Sequence, residues 1–354
     1  MHINPAIMLL AFGQTLVWAC LYYIFPALLL RWEVALGWSK LDLTLGITLA
    51  ISVSAVFSPI AGRIIDRGSG DVLLFISSVI GGVGLILLSL IVTIWQFYLI
   101  WILIGISISG CLYEPCFAFV TKYRGERAKH DIITITLIAG FASTICFPLT
   151  HIISNIFSWQ VAVVLFSFVV IFIAAPMLWI GATLIKRDTS QVQNPEELKT
   201  RGQGKLLIKN PMLYYLAICF AIFALVHGTS LNHLLSILSE RGYPIKTAVL
   251  AASCIGPMQV IGRLVMLLSE KYLSTYRFSL VALLGMGTSM AVLFFSGTSV
   301  VKLFLFIMLF GATYGTISVL RPVIAKELLG IEDFGLKSGY LASAYLTGHA
   351  IAPY

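Results

Sequence analysis

The chain has 354 residues, 59% hydrophobic and 11% charged, and its 23 Lys and Arg outnumber its 15 Asp and Glu for a formal charge of +8. A soluble domain carries about a quarter charged residues, so this composition excludes an ordinary soluble enzyme and makes lipid the solvent of most of the surface. The positive excess is not a nucleic-acid footprint either, because the basic residues fall in alternate loops between apolar stretches.

A bilayer crossing needs roughly 20 mainly apolar residues. Runs of that kind predict spans near 6–30, 41–64, 71–93, 96–120, 132–156, 159–185, 212–238, 246–268, 276–296, 299–326 and 334–354. The class is therefore all-α and membrane-embedded, with about eleven helices. The first span starts almost at the N-terminus, carries Trp18, Tyr22 and Tyr23, and lacks a basic n-region, which reads as an uncleaved helix. The second ends in Ser58-Pro59-Ile60-Ala61-Gly62-Arg63-Ile64-Ile65-Asp66-Arg67-Gly68. The six cysteines all lie in apolar runs without metal-like spacing, so neither zinc nor disulfide is implied. No cofactor is expected.

Residues 186–210 form the one long polar stretch and read as a cytoplasmic linker. It divides the chain into an N-terminal six-helix bundle, 1–185, and a C-terminal bundle of five helices, 211–354. Placing the N-terminus in the cytoplasm puts every Lys and Arg on that side except Arg31, Lys40, Arg241, Lys246 and Lys302, in line with the positive-inside rule. The halves also echo each other. Asp66-Arg67 recurs as Glu270-Lys271, Pro148 as Pro353, and Glu114-Pro115 as Arg321-Pro322, at offsets of 204, 205 and 207 residues. Near-constant offsets indicate an internal six-helix repeat. On that ruler a twelfth helix is expected beyond Tyr354.

The run from Ser58 to Gly68 resembles the loop 2–3 signature of the major facilitator superfamily, Gly-x-x-x-Asp-Arg-x-Gly. The resemblance implies two pseudo-symmetric bundles that alternate access to a central site, in a multi-pass, monomeric protein of the bacterial cytoplasmic membrane. It also implies a gate at Gly62, Arg63, Asp66 and Arg67, with Glu270 and Lys271 as the counterpart. Gly62 would let helix ends approach, and Asp66 would meet the positive N-terminus of the eleventh helix, near Phe334. The alternative is a cluster of charges that serves topology alone. The fourth span lacks the Arg-x-x-Gln-Gly pattern of the family's drug antiporters, since Trp101 and Ile104 stand there before Gly105. Its Gly-Ile-Ser-Ile-Ser-Gly-Cys-Leu-Tyr-Glu-Pro run looks more like the monocarboxylate and oxalate subgroup.

In the resembled fold the first, fourth, seventh and tenth helices line the cavity, and charge inside a membrane needs a reason. Glu114 and Arg321 occupy related places in the two halves, each before a proline, and either pair across the cavity or snorkel toward the cytoplasm. Arg263 is suited to a carboxylate, or is another cytoplasmic-end arginine. His227 is suited to a coupling proton, or is a neutral histidine bonded to a neighbouring helix. Gln14, Trp18, Tyr22 and Asn232 offer polar or amphipathic groups, or simply pack. His151, His233 and His349 have weaker claims. Gly311 to Gly315 and Gly335 to Gly339 have the spacing of close helix contacts.

No Walker A loop, His-Glu-x-x-His or Gly-x-Ser-x-Gly occurs in the sequence. The expected function is a secondary transporter, either a uniporter or an ion-coupled carrier, of a small organic solute, an organic anion such as a monocarboxylate, with the proton as candidate coupling ion. The competing expectations are a membrane-embedded enzyme and a non-functional fragment.

Overall fold

A computed structural model of the chain describes residues 4–192, 210–269 and 272–352. Glu270 and Lys271 of the expected gate, the linker from 193 to 209, and Pro353 lie outside the described residues. The described chain is built of α1 (Pro5–Leu36), α2 (Lys40–Asp66), α3 (Gly70–Leu88), α4 (Ile94–Cys111 and Tyr113–Arg124), α5 (Ala128–Ala139 and Ala142–Ile156), α6 (159–192), α7 (Pro211–Glu240), α8 (Ile245–Ser269), α9 (Thr275–Phe294), α10 (Val300–Leu329) and α11 (Phe334–Ile351). Helix α1 runs past its apolar stretch until Gly37, at φ +68, ends it. Helix α6 continues to Val192, so the first residues read as linker are helical.

Nine helical stretches among the described residues are long and apolar enough to cross a bilayer, and one of them, the 63-residue Ile94–Ile156, makes two passes. Helix α11 falls outside that set. It is rich in small and polar residues (Gly335, Ser338, Gly339, Ser343), and its closest packing is on α2 and α7 rather than lipid.

Three of the helix irregularities coincide with proline. A proline lacks an N–H and its ring clashes with the carbonyl four residues earlier. Pro26 lies four residues after Tyr22, and α1 widens there into a π-helical segment, Trp18–Tyr23. Pro176 does the same to α6 at Val170–Ala174. Pro115 breaks α4 outright: Leu112 is extended (φ −81, ψ −160), and the Cys111 carbonyl that the missing N–H would have met accepts from Gln14 Nε2 at 2.7 Å.

The two halves share a packing plan. The pairings α2 with α4, α3 with α4 and α1 with α5 recur as α8 with α10, α9 with α10 and α7 with α11. Glycines let backbones meet in both: Gly105 faces Ala50, and Gly262 faces Ala312 while Gly311 and Gly315 face Ile255 and Gln259. Among the described residues the most extensive helix contact joins the halves, α2 to α11. Its counterpart, α5 to α8, is slight.

Candidate functional site

Two sets of residues join the bundles. The first lies on the face that carries the chain's N-terminus, where α2 ends and α11 begins. Helix α11 has no side-chain cap of its own, because its N-cap residue Asp333 is left-handed (φ +46) and bonds none of the first-turn N–H groups. Asp66, from the other bundle, takes that role: the Gly335 N–H donates to its Oδ1 and the Leu336 N–H to its Oδ2, both at 2.7 Å. A carboxylate at a helix N-terminus gains from both the hydrogen bonds and the dipole. The approach needs Gly62 opposite Gly335 and Ser58 opposite Gly339, with backbone against backbone.

Lys122 and Lys186 hold this corner from behind, and sequence reasoning counted both only as topological charges. Lys122 Nζ donates to the carbonyls of Ile65 (2.9 Å) and Asp66 (2.8 Å), while Lys186 Nζ reaches the Gly68 carbonyl (2.7 Å) and Asp71 (3.2 Å). Their signal was faint because a lysine at a helix end is ordinary in even loops. Arg63 and Arg67, expected in the gate, are exposed instead. They stand about 100° around the helix from Gly62 and Asp66, which share the face packed on α11.

Asp66→Asn keeps one acceptor and removes the charge. A capping interaction of this kind is worth about 0.5–2 kcal/mol, so the substitution is expected to shift the closed-to-open ratio of this face by roughly 3- to 30-fold. Distances between spin labels on the ends of α2 and α11 would read it, and an unchanged distribution would rule out a latch here.

The second set is central. Arg321 on α10 donates from Nη2 to Glu114 Oε1 on α4 at 2.7 Å, across the two bundles. Glu114 stands in the first turn of the second α4 segment, which the Pro115 break creates, so a helix N-terminus also favours its charge. The Arg321 guanidinium lies 3.5 Å over the ring of Tyr345, whose hydroxyl meets that of Tyr314 at 3.0 Å. Tyr314 stacks on His227 with centroids 3.5 Å apart, and His349 stacks on His227 at 5.7 Å and on Tyr345 at 5.1 Å. From the other bundle Trp18 packs on Tyr113 at 4.6 Å and on Tyr22 at 4.9 Å. The π-helical turn of α1 is what brings Trp18, Tyr22 and Tyr23 to one side.

The expected residues thus divide. Glu114, Arg321, His227, Trp18, Tyr22 and Gln14 belong to the central cluster or support its helix break. Arg263 lies within electrostatic range of Tyr23 and Tyr113 of the cluster but makes its hydrogen bonds elsewhere. Its Nη1 donates to the Thr136 carbonyl of α5 at 3.2 Å and its Nε to the Gly315 carbonyl at 3.4 Å, so it ties α8 to the other bundle. Asn232 is exposed, apart from the cluster. His349, set aside on sequence because the eleventh helix was not expected to face the cavity, is central, and Tyr314 and Tyr345 were missed. The Pro115 and Pro322 signals marked the right levels of α4 and α10, but in α11 the sequence marked the first turn and the Gly335–Gly339 contact and not Tyr345 or His349.

A family model described as Major Facilitator Superfamily matches residues 7–353. The chain belongs to the major facilitator superfamily. Its fold is similar to that of the Escherichia coli fucose:proton symporter, FucP (N162A), at TM-score 0.71 and 15% identity over 98% of this chain and 89% of that one. FucP in an outward conformation aligns at TM-score 0.68 and 16% identity, over 99% of this chain and 90% of that chain. The proton:xylose symporter XylE, bound to 6-bromo-6-deoxy-D-glucose, aligns at TM-score 0.71 and 13% identity over 99% of this chain and 87% of its own. No curated protein matches the chain in sequence. These findings make this major facilitator an integral, multi-pass membrane protein and a secondary transporter, with the two-bundle fold.

Proposed function

We propose that this major facilitator couples the movement of a small organic anion to a proton, and that the Glu114–Arg321 pair is the site the two share. One observation carries the reading: a buried membrane cation, Arg321 at 8% exposure, bonds a carboxylate of the opposite bundle while its Nε has no partner among the described residues. A guanidinium takes a carboxylate through two parallel N–H donors, so Nε and Nη2 together offer a bidentate seat of which Glu114 fills half. A substrate carboxylate therefore competes with Glu114. Protonation of Glu114 removes its charge and yields Arg321 to the substrate, so proton and anion are favoured together. The Asp66–α11 cap would close the N-terminal face in this conformation and release it in the other. That face is proposed to be cytoplasmic, on the distribution of Lys and Arg.

A neutral sugar is the second reading, favoured by the aromatic group of Trp18, Tyr22 and Tyr113 and by the sugar symporters that share the fold. Uptake into proteoliposomes separates the two. With the lumen more alkaline than the medium, carboxylate uptake is expected to rise roughly tenfold per unit of pH gradient, and neutral sugars of equal size are expected to enter no faster than into protein-free vesicles. Sugar uptake without carboxylate uptake would reject the anion.

A further inference from the structure

The polar atoms that remain unpaired on the helices of the central cluster describe more than a carboxylate. Gln14 Oε1, Trp18 Nε1, His227 Nδ1 and Nε2, and His349 Nδ1 are buried without a hydrogen-bond partner among the described residues. Gln14 has only the weak thiol donor of Cys116 beside it. Gln14 and His227 are 0% and 2% exposed. Buried polar groups are nearly always bonded, and each exception asks for an explanation. Here they lie on α1, α7 and α11, and the unpaired Nε of Arg321 lies on α10. Tyr22, Tyr113 and Tyr314 among them are half-buried, so the cluster borders open space. Tyr314 of one bundle also lies within electrostatic range of Tyr22 and Tyr113 of the other.

The unpaired set mixes donors and acceptors, and none of its members besides Arg321 carries a fixed charge. A hydroxyl serves both kinds, because it donates once and accepts twice. Trp18 and Tyr113, packed on each other with ring centroids 4.6 Å apart, form one aromatic surface that suits the C–H side of a carbon chain whose other side is hydroxylated. A plain short-chain monocarboxylate would satisfy Arg321 and leave the Gln14, Trp18 and His227 atoms dry and unbonded.

Resting on the anion reading, we infer that the solute is a polyhydroxylated carboxylate of sugar-acid type. Its carboxylate sits on Arg321, and its hydroxyls bridge Trp18 and Gln14 of one bundle to His227 and His349 of the other. Simultaneous engagement of both bundles would also make binding sensitive to their relative position, as alternating access requires.

Three six-carbon probes separate the contributions: D-gluconate, hexanoate, which keeps the carboxylate and lacks hydroxyls, and D-sorbitol, which keeps hydroxyls and lacks the carboxylate. Binding to the full chain in nanodiscs is measured by thermal stabilisation over a concentration series. A site built to bond hydroxyls rejects an analogue without them strongly, so D-gluconate is expected to bind at least about 100-fold more tightly than either of the others. Trp18→Phe, which keeps the ring and loses the N–H, is expected to weaken D-gluconate roughly 3- to 10-fold and leave the melting temperature without ligand unchanged. Hexanoate equal to D-gluconate would overturn the hydroxyl inference and leave the anion reading intact. Sorbitol equal to D-gluconate, with hexanoate inactive, would overturn both. D-gluconate binding unaltered in Trp18→Phe would remove Trp18 from the site and with it the bridging between bundles.

Discussion

Glu114→Gln is expected to reduce pH-driven uptake about 100-fold or more and to leave what remains insensitive to pH. Glutamine keeps the size and one oxygen for the Arg321 Nη2–H, but it carries no charge and takes up no proton. Removing one partner of a buried pair costs ~3–5 kcal/mol. The Glu114 side chain is 23% exposed, however, and can draw on solvent, so the lower end applies to folding stability. A factor of 100 in rate corresponds to about 2.7 kcal/mol, which is of the same order. The double variant Glu114→Gln, Arg321→Gln separates folding from coupling. Neutralising both members of a buried pair is far milder than neutralising one, so the double variant is expected to regain thermal stability relative to Arg321→Gln while transport stays lost. Each variant is purified, melted and reconstituted. Full pH-driven uptake in folded Glu114→Gln would remove this carboxylate from coupling.

Gly62→Val is expected to produce the second large effect, by geometry rather than charge. A β-carbon on Gly62 would lie 2.5 Å from the Gly335 carbonyl carbon and 3.0 Å from the Leu336 nitrogen, both backbone atoms of α11. No rotamer change relieves a clash with backbone, so α2 and α11 must separate. Overpacking costs ~1–3 kcal/mol, enough to shift the closed state of this face by roughly 5- to 150-fold. Net uptake, which needs both states in each cycle, is expected to fall at least tenfold. The expected spin-label distances between the ends of α2 and α11 lengthen accordingly. Gly287→Ala on α9 is the control, because nothing lies within 4 Å of a β-carbon there. Normal uptake in well-folded Gly62→Val would show that the α2–α11 contact does not have to close.

Much of the candidate site was legible because charge and proline are conspicuous in apolar sequence. Glu114 and Arg321 stood out as ionisable residues inside long hydrophobic runs, and each preceded a proline at a matching place in its half. The carboxylate of Asp66 could be read as a helix cap because a family signature surrounds it. Arg263 was just as conspicuous, and its hydrogen bonds go to backbone carbonyls rather than to the charged pair. A membrane arginine needs hydrogen-bond acceptors, and two backbone carbonyls meet that need as well as a substrate does. Tyr314, Tyr345 and His349 were not legible as a group. Tyrosine and histidine are common enough in membrane helices that only their convergence on Arg321 and His227 marks them.

The sequence by itself determined the solvent, the number and approximate limits of the helices, and the pairing of like segments in two halves. These follow from local composition and periodicity, which lipid reads along the chain as directly as an observer does. Only the tertiary structure decided which helix faces meet: α2 on α11 far more than α5 on α8, Glu114 against Arg321, and His349 turned inward. Those choices depend on the rotation of each helix about its axis. Glycine contacts, the π-helical turn of α1 and the break in α4 set that rotation together, and no one of them can be summed from residues read in order.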